Sequence, residues 1–171
     1  MRVERHFAFV DLSGFTAFTD AHGDDRAVEV LTSFRNELRL VGTEHAVRIA
    51  KWLGDGCMLV SIDPTKLVDS VLDLQRRCAR TGLELPLHVG MAGGDVILLE
   101  GDDYTGRAVN LASRLAGVAE PGQIALTETL ADLLVDAGDV VRRSVIVKGF
   151  SEPVDVCIVG DSGGVAAPSA A

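Results

Sequence analysis

Three stretches of the chain combine a turn with polar residues that the surrounding apolar pattern does not need. The first is Phe9-Val10-Asp11-Leu12-Ser13-Gly14-Phe15-Thr16. Here a carboxylate ends a Phe/Val-rich run, and a Gly-containing turn leads into a short helix. Amides at a helix entry favour phosphate, and an adjacent carboxylate would hold the cation that phosphate brings. Asp11 or Ser13 capping the turn explains this stretch equally well. The second is Asp55 in Gly54-Asp55-Gly56, by itself a routine hairpin tip. If the first strand lies beside that hairpin, Asp55 comes near Asp11 and makes an all-oxygen site suited to Mg²⁺ or Mn²⁺. The third is Asp103 through Arg114, in which Asn110 and Arg114 share one helix face because they are four apart. An amide and a guanidinium held on a packed helix suit a ribose and a developing phosphorane. A surface Asn and an ion-pairing surface Arg fit that spacing as well.

The elements that must position these residues follow from periodicity. HFAFVDL (6–12) reads as a buried strand. Asp24-Asp25 cap a helix to about Val41, with Val28, Leu31, Phe34 and Leu38 inward and Gly42 just past its end. AVRIAKWL and CMLVSI form a hairpin through Gly-Asp-Gly. Asp63-Pro64 opens a helix with Leu67, Val71, Leu74 and Cys78 on one face and Gly82 near its end. LPLHVGMA and DVILLEG read as strands on either side of Gly93-Gly94. A helix follows over 106–118, then a short strand QIALT, a helix ETLADLLVDAG and a last strand pair, RRSVIVKG and EPVDVCIV. The tail after Gly160 has the composition of a disordered segment. The order β-α-β-β-α-β with a further α and β predicts an α+β fold, a ferredoxin-like split βαβ core with a C-terminal αβ extension and its helices on one sheet face.

The chain has 171 residues, with 16 Lys+Arg against 25 Asp+Glu and a net charge of −9. One domain of this length buries about two-thirds of its unfolded surface. The acidity and the eight aromatic residues argue against a nucleic-acid groove. No apolar run reaches the length of a membrane span, and Glu4 and Asp11 flank the early apolar patch, so neither a membrane segment nor a signal peptide is expected. Cys57, Cys78 and Cys157 are an odd, widely spaced set, as expected of reduced thiols in a cytoplasmic protein. Cys57 reads as a core residue. His6, His22, His45 and His88 show no metal-ligand spacing and read as surface or packing residues.

Together the motifs resemble the catalytic domain of the class III nucleotidyl cyclases, the adenylate and guanylate cyclases. Phe9–Thr16 is similar to the family's first metal motif, and Lys51-Trp52-Leu53-Gly54-Asp55-Gly56 to its second. Val109-Asn110-Leu111-Ala112-Ser113-Arg114 resembles the transition-state helix, and Lys148-Gly149-Phe150 with Pro153-Val154 the closing motif. The match spans about residues 6–159, which would make 1–159 the catalytic domain and 160–171 a tail. The resemblance implies conversion of ATP to 3′,5′-cyclic AMP and pyrophosphate with two divalent cations, Mg²⁺ or Mn²⁺. It assigns Asp11, Leu12 and Asp55 to the metals and Phe15, Thr16 and Lys148 to the substrate. Asn110 would orient the ribose, and Arg114 would neutralise the α-phosphate.

In the family the base readers stand four residues before the second metal Asp and seven before the Asn, at Lys51 and Asp103 here. An ammonium donating to adenine N1 and a carboxylate accepting from N6 form an adenine-type pair. A register one residue earlier would make Asp102 the reader, and an edge-strand Lys and a loop Asp need no nucleotide at all. The resemblance further implies a homodimer with its active sites at the subunit interface. Gly94–Val109 is short, as in a compact bacterial subgroup with Asp-Tyr-x-Gly at this place, and no sensor module is expected within these residues. The alternatives are a guanylate cyclase or a catalytically silent nucleotide-binding domain of the same fold. A diguanylate cyclase is disfavoured because Val96-Ile97 follow Gly93-Gly94-Asp95.

Overall fold

The computed structural model describes residues 1–101, 103–135 and 139–160. Its centre is β1 (Arg2–Leu12), whose alternate residues are apolar in both directions: Ala8, Val10 and Leu12 toward one side, Phe7 and Phe9 toward the other. A strand apolar on both faces must lie inside a sheet covered on both faces. It pairs antiparallel with β3 (Gly56–Ser61) and with β4 (Leu87–Leu98), and β2 (Arg48–Leu53) forms the edge beyond β3. The order β2-β3-β1-β4 is the split βαβ core. β6 (Ile124–Thr127) joins β4 in parallel, and β8 (Val154–Val159) and β7 (Val140–Val145) complete the extension. A two-residue strand, β5 (Tyr104–Thr105), pairs with β4 off this path.

Of the helices α1 (Phe15–His22), α2 (Asp24–Glu44) and α3 (Pro64–Thr81), the last keeps closest to its sequence signals. The Asp63 carboxylate accepts from the amides of Thr65 (2.9 Å) and Lys66 (3.2 Å), Pro64 opens the first turn, and Gly82 closes the helix in the left-handed region.

Several expectations need correction. Gly42 does not end α2: it is buried within the helix, where a β-carbon would come to 3.0 Å from the Val47 carbonyl oxygen. The buried stripe of α2 runs through Ala27, Val30, Phe34, Leu38 and Val41, while Val28 is exposed. Gly93-Gly94 do not divide β4, which stays paired with β1 from Ile97 opposite Arg2 to Leu87 opposite Leu12. Glycine at 93 serves side-chain packing, since a β-carbon there would lie 2.1 Å from His6 Nδ1. The helix expected over 128–138 is only α5 (Glu128–Ala131), and residues 136–138 lie outside the described residues, as does the tail beyond Gly160.

The helices also do not all lie on one face of the sheet. α2 and α3 cover one face of the sheet, through Phe34, Leu38, Leu67 and Val71 against Ala8, Val10, Leu59 and Val89. α4 (Arg107–Ala116) covers the opposite face, through Val109, Ala112 and Leu115 against Phe7, Met58 and Ala92. α4 crosses β4 at Gly90, where a β-carbon would come to 2.0 Å from the Ala116 nitrogen and 2.2 Å from the Ala112 oxygen. Backbone on both sides leaves nothing that can rotate away. Gly90→Ala should therefore destabilise the chain by about 3 kcal/mol, the upper end of ordinary overpacking. Urea unfolding tests this, and a midpoint equal to wild type would contradict the close crossing.

Candidate active site

Asp11 follows Phe7 and Phe9 on the α4 side of β1, opposite Gly56 on one neighbour strand and His88 on the other. The hairpin between β2 and β3 turns at Gly54, which is left-handed (φ 70°), so Asp55 stands at the end of β3 beside Asp11. The Leu12 amide donates to the Asp55 carbonyl oxygen across this junction (3.4 Å). The second glycine of Gly-Asp-Gly has a separate reason. A β-carbon at Gly56 would come to 2.6 Å from Asp11 Oδ1 and from the Val10 oxygen, so only glycine lets the Asp11 carboxylate lie over the hairpin.

Burial, with the neighbouring Asp11 carboxylate adding to it, raises the Asp55 pKa above its ordinary value. His88 closes the other side. Its Nε2 lies 3.4 Å from Asp11 Oδ2, and its Nδ1 is 2.7 Å from the Ala116 oxygen at the end of α4. The Asp11 carboxylate raises the His88 pKa against an opposing effect of burial. His88, read from sequence as a surface or packing residue, is thus a neighbour of the carboxylate pair. Its only sequence signal was its place on a strand that pairs with β1. Arg35 was missed as well. It reaches from α2 to donate from Nη2 to the Gly54 oxygen (3.0 Å), and the Trp52 ring lies 4.9 Å from its guanidinium and 5.3 Å from that of Arg39. These contacts hold the hairpin carrying Asp55 against α2.

Downstream of Asp11, the Ser13 amide donates to the Pro86 oxygen (2.8 Å), and Gly14 turns the chain in the left-handed region. Phe15 packs partly into the core and Thr16 is exposed in the first turn of α1. Ser13 Oγ is buried with no hydrogen-bond partner. Cys57 follows the turn inside the core, where burial pushes its thiol up to about 12 and leaves no thiolate for chemistry.

A second grouping lies between β2 and the segment before β5. Lys51 Nζ donates to Asp103 Oδ1 (2.7 Å), which also accepts from the Tyr104 amide (2.8 Å). The Lys51 ammonium, followed by that amide, lowers the Asp103 pKa. Donor and acceptor therefore stand side by side at an exposed edge. Asp102 lies outside the described residues.

The third grouping is on α4. Gly106 packs against Val96 and accepts from the Asn110 amide (3.2 Å), fixing the helix start. Asn110 and Arg114 project from the exposed side, since Ala108, Val109, Leu111, Ala112 and Leu115 are buried. They face Lys148 and Phe150 across an open cleft of about 530 Å³, with Arg107 at one end. Lys148 lies in the turn after β7 rather than in a strand. Neither Asp11 nor Asp55, and neither Lys51 nor Asp103, lines this cleft. Within one chain, then, ten candidate positions fall into separate clusters: a carboxylate pair with its loop, a donor–acceptor pair, and a cationic cleft.

The carboxylate pair suits a hard divalent cation. Among the described residues no group of three or more His, Cys, Asp or Glu side chains could hold a metal. Two carboxylates with waters and substrate phosphates completing the shell is nonetheless the usual arrangement for Mg²⁺ in phosphoryl chemistry.

The fold is that of the nucleotide cyclase catalytic domains. Its architecture superposes on an adenylate/guanylate cyclase/hydrolase from Silicibacter pomeroyi with a TM-score of 0.83, covering 94% of this chain and 98% of that one at 20% identity. The adenylyl cyclase CyaB from P. aeruginosa gives a TM-score of 0.68 at 27% identity, covering 95% and 96%. In sequence, an uncharacterized Mycobacterium tuberculosis protein is 38% identical over 85% of this chain and 38% of its own length. The pH-sensitive adenylate cyclase of the same species is 36% identical over 76% of this chain and 32% of its own length. The chain thus spans about a third of the length of these curated relatives. The profile of the adenylate and guanylate cyclase catalytic domain matches residues 6–159, and the chain belongs to that family. Among the described residues no helix is long and apolar enough to cross a membrane.

Proposed function

We propose that this domain is an adenylate cyclase that closes ATP to 3′,5′-cyclic AMP with release of pyrophosphate. The observation that carries the base assignment is the 2.7 Å Lys51–Asp103 contact. It presents one ammonium donor beside one carboxylate acceptor, matching N1 and the N6 amine of adenine. Guanine offers O6 as acceptor and N1–H as donor, the reverse order.

In the reaction the ribose 3′-oxygen bonds to the α-phosphorus as the bond from that phosphorus to the oxygen bridging the α- and β-phosphates breaks; that oxygen leaves with the pyrophosphate, and the 3′-hydroxyl proton passes to solvent. Divalent ions bound by Asp11, Asp55 and the Leu12 carbonyl would supply an acidified 3′-hydroxyl and charge neutralisation on the leaving group. Asn110 holds the ribose, so that attack is intramolecular and in line. Arg114 donates to the α-phosphate oxygens as charge gathers there, and Lys148 binds the triphosphate. The loop at Phe15 and Thr16 offers its amides to the phosphates. The separation of the cleft from the carboxylate pair within one chain supports a site shared by two copies. In that homodimer one copy brings Asp11 and Asp55, and the other brings Lys51, Asp103, Asn110 and Arg114.

The base assignment is tested by Lys51→Glu combined with Asp103→Cys. Reversing donor and acceptor should lower kcat/KM for ATP by up to about 10⁴-fold, the range reached by sites built on such hydrogen bonds. GTP use should rise only slightly, because the pocket shape is unchanged. ATP turnover equal to wild type would mean that other residues read the base.

A further inference from the structure

Arg107, Asn110 and Arg114 are spaced three and four apart, so they form one polar stripe along the exposed side of a helix whose other faces are buried. Lys148 faces that stripe across the cleft, which therefore carries three cations and no carboxylate. The chain as a whole has a net charge of −9. Among the described residues none of the three cations makes an ion pair; the arginines and lysine that do, such as Arg26, Arg77 and Lys51, lie elsewhere. Mutual repulsion works against gathering three such cations, and a bound polyanion would offset it.

Among the described residues, Arg107 is also the one of the three that lies over an aromatic ring. Its guanidinium carbon lies 4.6 Å from the centre of the Phe150 ring. Stacking occupies the face of a guanidinium and leaves its N–H edge free to donate as a fork, the geometry that binds phosphate with two parallel hydrogen bonds. Phe150 is two residues from Lys148, so the stack also ties the Lys148 turn to α4. We propose that Arg107 is a further substrate-binding residue, contacting the polyphosphate chain of a nucleoside triphosphate beside Lys148, with Phe150 as its platform. This rests on the reading of the cleft as part of a nucleoside triphosphate site.

Calorimetric titration with inorganic tripolyphosphate in EDTA, alongside steady-state kinetics with ATP, tests it. Arg107→Ala should weaken tripolyphosphate binding roughly 10-fold or more, the effect of losing a charge-assisted pair of hydrogen bonds. It should raise KM for ATP by a similar factor with kcat little changed, as expected for a group that binds ground state and transition state alike. Arg107→Lys keeps the cation without the fork and should recover part of the loss. Phe150→Leu should weaken binding several-fold by freeing the guanidinium. Arg107→Ala and Arg107→Lys proteins that both bind tripolyphosphate as wild type does would overturn the proposal while leaving the cyclase reading intact. A wild-type chain that binds tripolyphosphate through Arg107 but forms no cyclic product would support the anion role and overturn the cyclase reading instead. A wild-type chain that binds neither tripolyphosphate nor ATP would overturn both.

Discussion

Asp11→Asn and Asp55→Asn should each lower cyclic nucleotide formation on the order of 10³-fold or more while leaving the fold intact. The size follows from what the two carboxylates would do. They are the acidic side chains at the end of β1 and the adjoining hairpin, and without either one a divalent ion loses a principal ligand for activating the 3′-hydroxyl and neutralising pyrophosphate. The fold should survive because both side chains are partly exposed at strand ends. Asparagine also keeps their shape. For Asp11 the substitution leaves an oxygen within reach of His88, and the Gly56 contact is unaltered because no atom is added. Activity assays with ATP and Mn²⁺, paired with thermal unfolding, separate the two effects. Either variant retaining activity within a few-fold of wild type would remove that carboxylate from the metal assignment.

Mixing two nearly inactive proteins, Asp11→Ala and Asn110→Ala, should restore about a quarter of wild-type activity. If each site takes its carboxylates from one copy and its Asn110/Arg114 helix from the other, a mixed dimer holds one site with both lesions and one with neither. With free exchange about half the dimers are mixed, and each has one working site of two. The cleft geometry supports this arrangement, because Asn110, Arg114 and Lys148 line a space that Asp11 and Asp55 do not reach within the same chain. Light scattering and a tag-exchange experiment establish that subunits mix. No recovery despite demonstrated exchange would mean that each chain builds a complete site.

The split βαβ order was legible because its signals are local: period-two apolar runs, Gly-Asp-Gly at the hairpin, Asp63-Pro64 and Gly82 bounding α3. The meeting of Asp11 with Asp55 was legible one step later, once β1 was placed beside that hairpin. What misled the sequence reading was glycine. Gly42 ends no helix and Gly93 breaks no strand; like Gly90 and Gly56, they belong to packing contacts. They sit where another backbone or side chain comes too close for a β-carbon, and such a contact is set by residues far away in the chain. The layering of α4 opposite α2 and α3 follows from the same contact at Gly90. His88 and Arg35 were illegible for a related reason. Each gains its role from a partner across the sheet or on another element, Asp11 in one case and the Gly54 carbonyl in the other. Arg107 carried a sequence signal, its spacing to Asn110 and Arg114, which acquires meaning only when Lys148 and Phe150 are seen across the cleft.

The most direct test of the account is product analysis with purified protein, offered ATP or GTP with Mg²⁺ or Mn²⁺. Cyclic nucleotide and pyrophosphate are both quantified by chromatography. 3′,5′-Cyclic AMP and pyrophosphate should form in equal amounts from ATP, dependent on the added metal, with GTP turned over far more slowly. Nucleotide bound with no cyclic product under any of these conditions would contradict the account, as would cyclic GMP forming faster than cyclic AMP.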